Sequence, residues 1–323
     1  MNIIAADVGG SSTRLVYARE GRSEEILHEA CYASADFENF ETMLRTFVAE
    51  ITDRMFGFEV LTLALPGVIE DNVARLTNLP WVISKAEIRD QFGVEQVHFM
   101  NDFQAAAYGI DRLSDSDMLV LNVGVHSNDA TRVIVGAGAG LGMAWCQGQR
   151  NHSTAYATEG GHIDFAPVNT TQIALLQYLL ERYEHVSYER LLSSAGLVNI
   201  YEFYAQQAAD DIDAAWVQAQ ALTSNMEAQK AMALFVQIYG SYVGNIALLF
   251  KPEAGIYITG GIAGTITRWM QSADFIDAYL NKGRMLPLVE KISVNLVTNE
   301  RVGVIGALSH AVMKQQAATT NDY

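Results

Sequence analysis

The chain has 323 residues, half of them hydrophobic and 18% charged, which suffices for one large core or two medium ones, with two domains expected. Its formal charge of −16, with no long basic run, excludes nucleic acid and anionic membrane as attractive partners, because either would be repelled at range. No signal peptide is expected from MNIIAADVGG, and no apolar run approaches the about 18 residues of a bilayer span. Cys31 and Cys146 fit free thiols in a reducing cytoplasm, not a disulfide framework or a zinc knuckle.

In chain order, NIIAA (2–6) is a buried strand that enters the turn Asp7-Val8-Gly9-Gly10, and TRLVYARE (13–20) returns from it as a hairpin. FENFETMLRTFVAEITDRM (37–55) has helical spacing. VLTLALPG (60–67) and QVHFMND (96–102) are buried strands, and DNVARLTNLPW (71–81) is expected to return across the same sheet. A second cycle begins with MLVLNVG (118–124) and TRVIVGAGAGLGMAWC (131–146), again strand, glycine turn, strand. Helical blocks follow at 171–183, 193–208, 214–223 and 226–250. GIYITGGIAG (255–264) is a strand ending in glycines, and VGVIGALSHAVMKQQ (302–316) is a closing amphipathic helix before a frayed end.

Three glycine turns carry most of the chemistry. In ADVGGSSTRL (6–15), Gly9 and Gly10 let the backbone approach an anion, Ser11 and Ser12 add hydroxyls, and Asp7 is placed to hold a water of hydrated Mg²⁺. A plain type I′ hairpin with Gly-Gly at its tip is the competing reading. GAGAGLG (136–142) offers free N–H groups to phosphates, or else serves as a hinge. TGGIAG (259–264) opens a helix and could pack its glycines against a purine.

Asn101-Asp102 stands between a strand and the apolar helix FQAAAYGI, so Asp102 is either a helix cap or a base for a hydroxyl. TEGGHIDFAP (158–167) gathers Glu159, His162 and Asp164 at one turn, which suits a polyol site; a metal site competes, but the HExxH arrangement is absent. Glu189 in HVSYERLL (185–192) is otherwise an ordinary surface residue.

Together, DVGG-S-x-x-RL, LALPG, TN-x-x-W, NDF-x-A, GAG-x-GLG, EGGH-x-DFAP, HVS-x-ER-x-LS, GLVN-x-Y and GGI, in this order over nearly the whole chain, resemble the bacterial glucokinase family of non-zinc sugar kinases. The resemblance implies an α/β, two-domain actin-like (ribonuclease H-like) ATPase fold with an interdomain cleft. Residues 1–112 and a C-terminal helix (301–323) would form the small domain, and 113–300 the large one. It further implies ATP-dependent phosphorylation of glucose at the 6-hydroxyl, the first step of glycolysis, in a cytoplasmic homodimer. Asn101, Glu159, His162 and Glu189 would bind the sugar and Asp102 would act as base. Ala6, Asp7, Val8, Gly9, Gly10 and Ser11 would form one phosphate loop. Gly138, Ala139 and Gly140 would form the other, with Gly260 and Gly261 beside the adenosine of ATP. Other readings are a different donor or hexose, such as polyphosphate or mannose, and a glucose sensor that transfers nothing. Three departures from the family pattern stand out: Ala139 replaces a threonine, Ser11-Ser12 replaces Thr-Asn, and Ser194-Ala195 replaces Gly-Pro.

Overall fold

In a computed structural model of the chain, the described residues are 1–19, 25–51, 57–125, 127, 129–149, 153–207 and 211–321. They divide into two compact units. The first holds Met1–Ser114, Gln149–Ala157 and Asn299 onward; the second holds Asp115–Gly148 and Thr158–Thr298.

The first unit is built on β1 (Asn2–Val8), β2 (Ser12–Arg19), β3 (Glu25–Ala33), β4 (Val60–Leu65) and, after two short excursions, the strand Gln96–Asn101. The predicted hairpin forms: β1 and β2 pair antiparallel, with Asp7 opposite Arg14, while β4 lies parallel on the other side of β1. The apolar strands are buried on both faces, as sheets covered twice require. Ile4, Ala6 and Val8 meet Phe40, Met43, Leu44 and Phe47 of α1 (Phe40–Ile51). Ile3 and Ala5 alternate to the other side, where the C-terminal helix covers β1 and β4. The helix predicted over 37–55 starts at Phe40 because the Asn39 side chain accepts the Thr42 amide at 2.8 Å; 52–56 lie outside the described residues.

Residues 71–81 do not return across this sheet. Gly67 has φ +132° and diverts the chain into a separate three-stranded sheet of β5 (Gly67–Glu70), β6 (Val73–Leu76) and β7 (Val82–Ser84). Asp71 and Asn72 both take positive φ in the two-residue link between β5 and β6, the backbone that a tight hairpin demands and that Asx side chains tolerate. α2 (Lys85–Phe92) then leads into β8 (Gln96–Asn101), which runs parallel to β4 and feeds α3 (Asp102–Ile110).

The second unit repeats the scheme. β10 (Arg132–Ala137) and β11 (Leu141–Gln147) form an antiparallel hairpin, β13 (Ile256–Thr259) lies parallel to β10, and β14 (Val294–Val297) parallel to β13; β9 (Met118–Asn122) closes the edge. One further strand, β12 (Thr154–Thr158), lies in the segment that groups with the first unit except for its last residue. The helices are α4 (Thr170–Leu180), α5 (Ser194–Ala205), α6 (Ala214–Ala221) and α7 (Met226–Phe250), with short helices after β13. Among the described residues α7 alone is long and apolar enough to cross a bilayer, but Phe235, Ile238, Tyr239, Tyr242 and Val243 are packed into the core of this unit. The C-terminal helix runs from Val302 to Asn321, past the predicted end at 316.

Candidate active site

The first glycine loop joins β1 to β2 by the tight contact Gly9 N–H to Ser12 O, 2.9 Å. It is not a type I′ turn, since that turn needs positive φ at both central residues and neither Gly9 nor Gly10 has it. The glycines are required by crowding instead: a Cβ on Gly9 would stand 2.7 Å from the Ser12 carbonyl oxygen. Ser34 latches the loop from behind, its hydroxyl donating to Gly9 O at 2.7 Å and its amide to Ser11 O at 3.0 Å. Nothing in the local motif points to Ser34, which comes from the far end of β3.

Asp7 is the last-but-one residue of β1. Burial, then the charge of Asp102, push its carboxyl up from 3.8 to about 7, while Arg14 across the hairpin pulls the other way. Arg14 is itself held by Glu29 at 2.7 Å, and Arg301 grips the other oxygen of Glu29 at 2.7 Å. The Asp7 carboxylate also abuts Gly303 at the start of the C-terminal helix, where a Cβ would come within 2.1 Å of Oδ2. The β-register alone could have revealed Arg14; Glu29, Arg301 and Gly303 had no sequence signal.

Ionising Asp7 costs more in the folded chain than in the unfolded one. That acid therefore subtracts stability progressively as the pH rises from about 4 to about 7. Asp7→Asn should raise the melting temperature relative to wild type, and by more at about pH 8 than at about pH 5.5. A constant difference across that range, measured by differential scanning fluorimetry, would contradict the assigned environment.

At the end of β8 it is Asn101, not Asp102, that caps α3. Asn101 Oδ1 accepts the amides of Phe103 and Gln104 at 3.0 and 3.2 Å, leaving its Nδ2 donors for a ligand. Asp102 occupies the first helical turn, and its Oδ1 accepts the Phe103 amide at 2.9 Å. The position is electrostatically favourable to a carboxylate, since the helix N-terminus is positive. Asp7 and Asp102 thus form a pair of carboxylates in the first unit.

The second unit brings its predicted residues together. Glu159 and His162 flank the turn Gly160-Gly161, with His162 Nε2 3.7 Å from Glu159 Oε2 and His162 Nδ1 3.8 Å from Glu189 Oε1. The turn must be glycine, because a Cβ on Gly161 would fall 1.9 Å from the Leu141 carbonyl oxygen. The Glu159 and His162 side chains are 86% and 56% exposed, so they are open to a ligand. Asp164 turns away and meets His185 at 2.6 Å.

Glu189 lies on a single 3-10 turn and has a second bond: its Oε2 accepts the Leu141 amide, 2.9 Å, at the foot of the second glycine loop. The same segment holds that loop again through Ser194, whose amide and hydroxyl both donate to Gly138 O, at 2.8 and 3.1 Å. Ala139 stands exposed at the loop tip. Next to it, Gly260 at φ +95° closes against Ala137 O, 2.5 Å from where its Cβ would be, whereas nothing lies within 4 Å of a Cβ on Gly261. The carboxyl ends of parallel β10 and β13 therefore set the GAGAGLG and GGI motifs side by side, the usual place for a nucleotide in such sheets.

Residues 4–315 match a family profile described as Glucokinase. A glucokinase from Nostoc sp. is 34% identical over 94% of this chain and 97% of its own, and one from Photorhabdus laumondii is 31% identical over 97% of each. Among solved structures, a glucokinase from an Antarctic psychrotroph superposes with a TM-score of 0.84 at 27% identity, covering 96% of this chain and 98% of that one. A ROK family glucokinase from Streptomyces griseus, solved with glucose and AMPPNP, has a TM-score of 0.64 at 18% identity and covers 95% and 98%, a likeness of fold.

Proposed function

Because the chain belongs to the glucokinase family, and so is an ATP-dependent glucose kinase of the two-domain actin-like fold, we propose that Asp102 is the base that takes the proton of the sugar's 6-hydroxyl. As the family pattern implies, glucose hydroxyls are taken by Asn101, Asp102, Glu159, His162 and Glu189. The phosphates of ATP face the N–H groups of the loops around Gly9–Ser11 and Gly138–Gly140, and the adenine lies over Gly261, where the backbone leaves room.

The observation that carries this reading is Glu189. One carboxylate stands 3.8 Å from His162 in the polyol set and 2.9 Å from the backbone of the second glycine loop, so a sugar gripped by it is registered to the donor's phosphates. Phosphoryl transfer asks little covalent chemistry of a protein; positioning and charge dispersal dominate. Carboxylates and imidazole hold the ring, Asp102 accepts the proton as the oxygen attacks, and the two latched loops offer prearranged N–H donors to the migrating charge.

Magnesium fits the first unit. Among the described residues no cluster of three or more His, Cys, Asp or Glu is arranged for a metal, and this ion does not need one. Mg²⁺ keeps several waters and needs one or two hard carboxylates plus phosphate oxygens. Asp7, a desolvated acid beside a second carboxylate, is such a donor, and a divalent cation there would offset the charge that raises its pKa. When bound, the ion would supply neutralisation of the phosphate charge.

Cytoplasmic placement and a homodimer belong to the same proposal. Cys31 and Cys146, neither in a disulfide, support the first, and Ile173, Leu180, Trp216 and Leu222, exposed on α4 and on and just after α6, support the second.

Purified chain is expected to consume ATP with glucose in preference to polyphosphate or mannose in a coupled assay; a preference for either alternative would sink the reading. In the same assay Ala139→Thr should lower KM for ATP by roughly 2- to 10-fold, since the added hydroxyl enters open space at the loop tip and can donate to phosphate. An unchanged KM would mean that the loop amides alone hold the phosphates.

A further inference from the structure

Two cavities open in the second unit away from the residues above. The larger, of about 700 Å³, has Asp274 and Asp277 in its lining and no lysine or arginine. The other, of about 580 Å³, has the opposite character: Lys251, Arg284 and Lys291 line it against a single carboxylate, Glu253. In a chain with 37 acidic and 21 basic residues, three bases to one acid around one opening reverses the general balance. None of the three is in an ion pair among the described residues. Arg14, Arg182 and Arg301, by contrast, are each paired with a glutamate.

The cations come from separate pieces of chain brought to one place. Lys251 is the left-handed residue that ends α7, at φ +45°; Arg284 lies in the 3-10 turn Gly283–Met285, and Lys291 follows the helical turn Leu286–Val289. The wall facing them is pinned: the Val125 amide donates to Lys291 O at 2.8 Å and the Ser127 amide to Glu253 O at 3.0 Å. Val125, Pro287 and Leu288 supply an apolar lining. A half-open cavity of this size, apolar with a few charged groups, three of the four basic, has the composition of a small-molecule site.

We infer that this cavity binds a soluble phosphate monoester carrying a compact apolar or ring group. The dianion meets three cations that are in no ion pair among the described residues, with Arg284 able to take two oxygens at once and the lysines acting as point charges. The ring lies against Val125, Pro287 and Leu288. A purely apolar ligand would leave the cations uncompensated, and a cation would be repelled.

Phenyl phosphate is the probe. The full chain would be titrated calorimetrically with glucose and a saturating non-hydrolysable ATP analogue present, so that the reaction site is filled. One equivalent is expected to bind, more tightly than inorganic phosphate, and to weaken with added salt. The double variant R284Q/K291Q should bind at least about tenfold more weakly while its kcat for glucose is unchanged, neither residue being part of the transfer machinery. Should the double variant fold poorly, R284Q alone reads the same loss, because Arg284 is exposed. Equal affinity in wild type and variant, no binding at all, or binding only to phosphatidate vesicles and not to the soluble ester would each overturn the inference. Because glucose turnover is measured separately, these outcomes leave the kinase reading untouched.

Discussion

Asp102→Asn is expected to cut kcat for glucose phosphorylation by about 10²- to 10⁴-fold, the worth of a positioned general base. The substitution is close to isosteric. Asparagine keeps a carbonyl oxygen for the Phe103 amide and so leaves the start of α3 in place. Asn101 still caps the helix. KM for ATP should hold, and KM for glucose should change by much less than kcat, because the 6-hydroxyl can still donate to the amide oxygen. The variant should also be no less stable than wild type above neutrality. Removing the Asp102 charge takes away one of the two causes that raise Asp7, so its ionisation there becomes less costly. Coupled assays and thermal melts of one preparation give both readouts. Turnover within about threefold of wild type would remove Asp102 from the role.

The largest effect on stability is expected at the crossing of α3 and the C-terminal helix. A Cβ on Gly306 would come 1.7 Å from the Ala105 carbonyl oxygen and 2.7 Å from the Gly109 amide nitrogen; one on Gly109 would come 2.0 Å from Val302 O. All these atoms are backbone, so no side chain can swing aside, and the helices must move apart. Gly306→Ala and Gly109→Ala should each cost about 1–3 kcal/mol or more, a large part of the about 5–15 kcal/mol that holds a domain together. Because α3 begins at Asp102, the displacement should also lower kcat. Gly264→Ala is the control: this helical glycine has nothing within 4 Å of an added Cβ, and alanine there should be neutral or stabilising by up to about 1 kcal/mol. Melts of all three variants check the contrast, and equal behaviour would mean that the crossing is looser than described.

Local pattern carried much of the fold. Apolar runs at 2–6 and 60–65 became buried strands, 96–100 became a strand buried only at Val97 and Met100, and the two glycine hairpins, β1–β2 and β10–β11, formed where alternation and glycine placed them. What the pattern lacked was direction in space. The segment 71–81 has the alternation of a strand, but its sheet was decided by Gly67 and the left-handed pair Asp71-Asn72, which turn the chain away. Site residues followed the same division. Glu159 and His162 were legible because a carboxylate and an imidazole on a glycine turn are uncommon in a plain scaffold, whereas Glu189 came only from the family resemblance; the structure brings these three together. Ser34, Glu29 and Gly303 were not, because their contacts join positions far apart in the sequence through side chains with no unusual chemistry of their own. Ser194 stood out only as a departure from the family pattern; its amide and hydroxyl both tie the Gly138 carbonyl.

The bond from Glu189 to the Leu141 amide carries an obligation of reciprocity. If a hexose draws on that carboxylate, it alters how firmly the neighbouring backbone is held, and whatever factor the sugar thereby imposes on nucleotide affinity, the nucleotide must return on the sugar. Substrate synergy in this enzyme would then need no distant messenger, since in the proposed site the two oxygens of one side chain serve both ligands' surroundings.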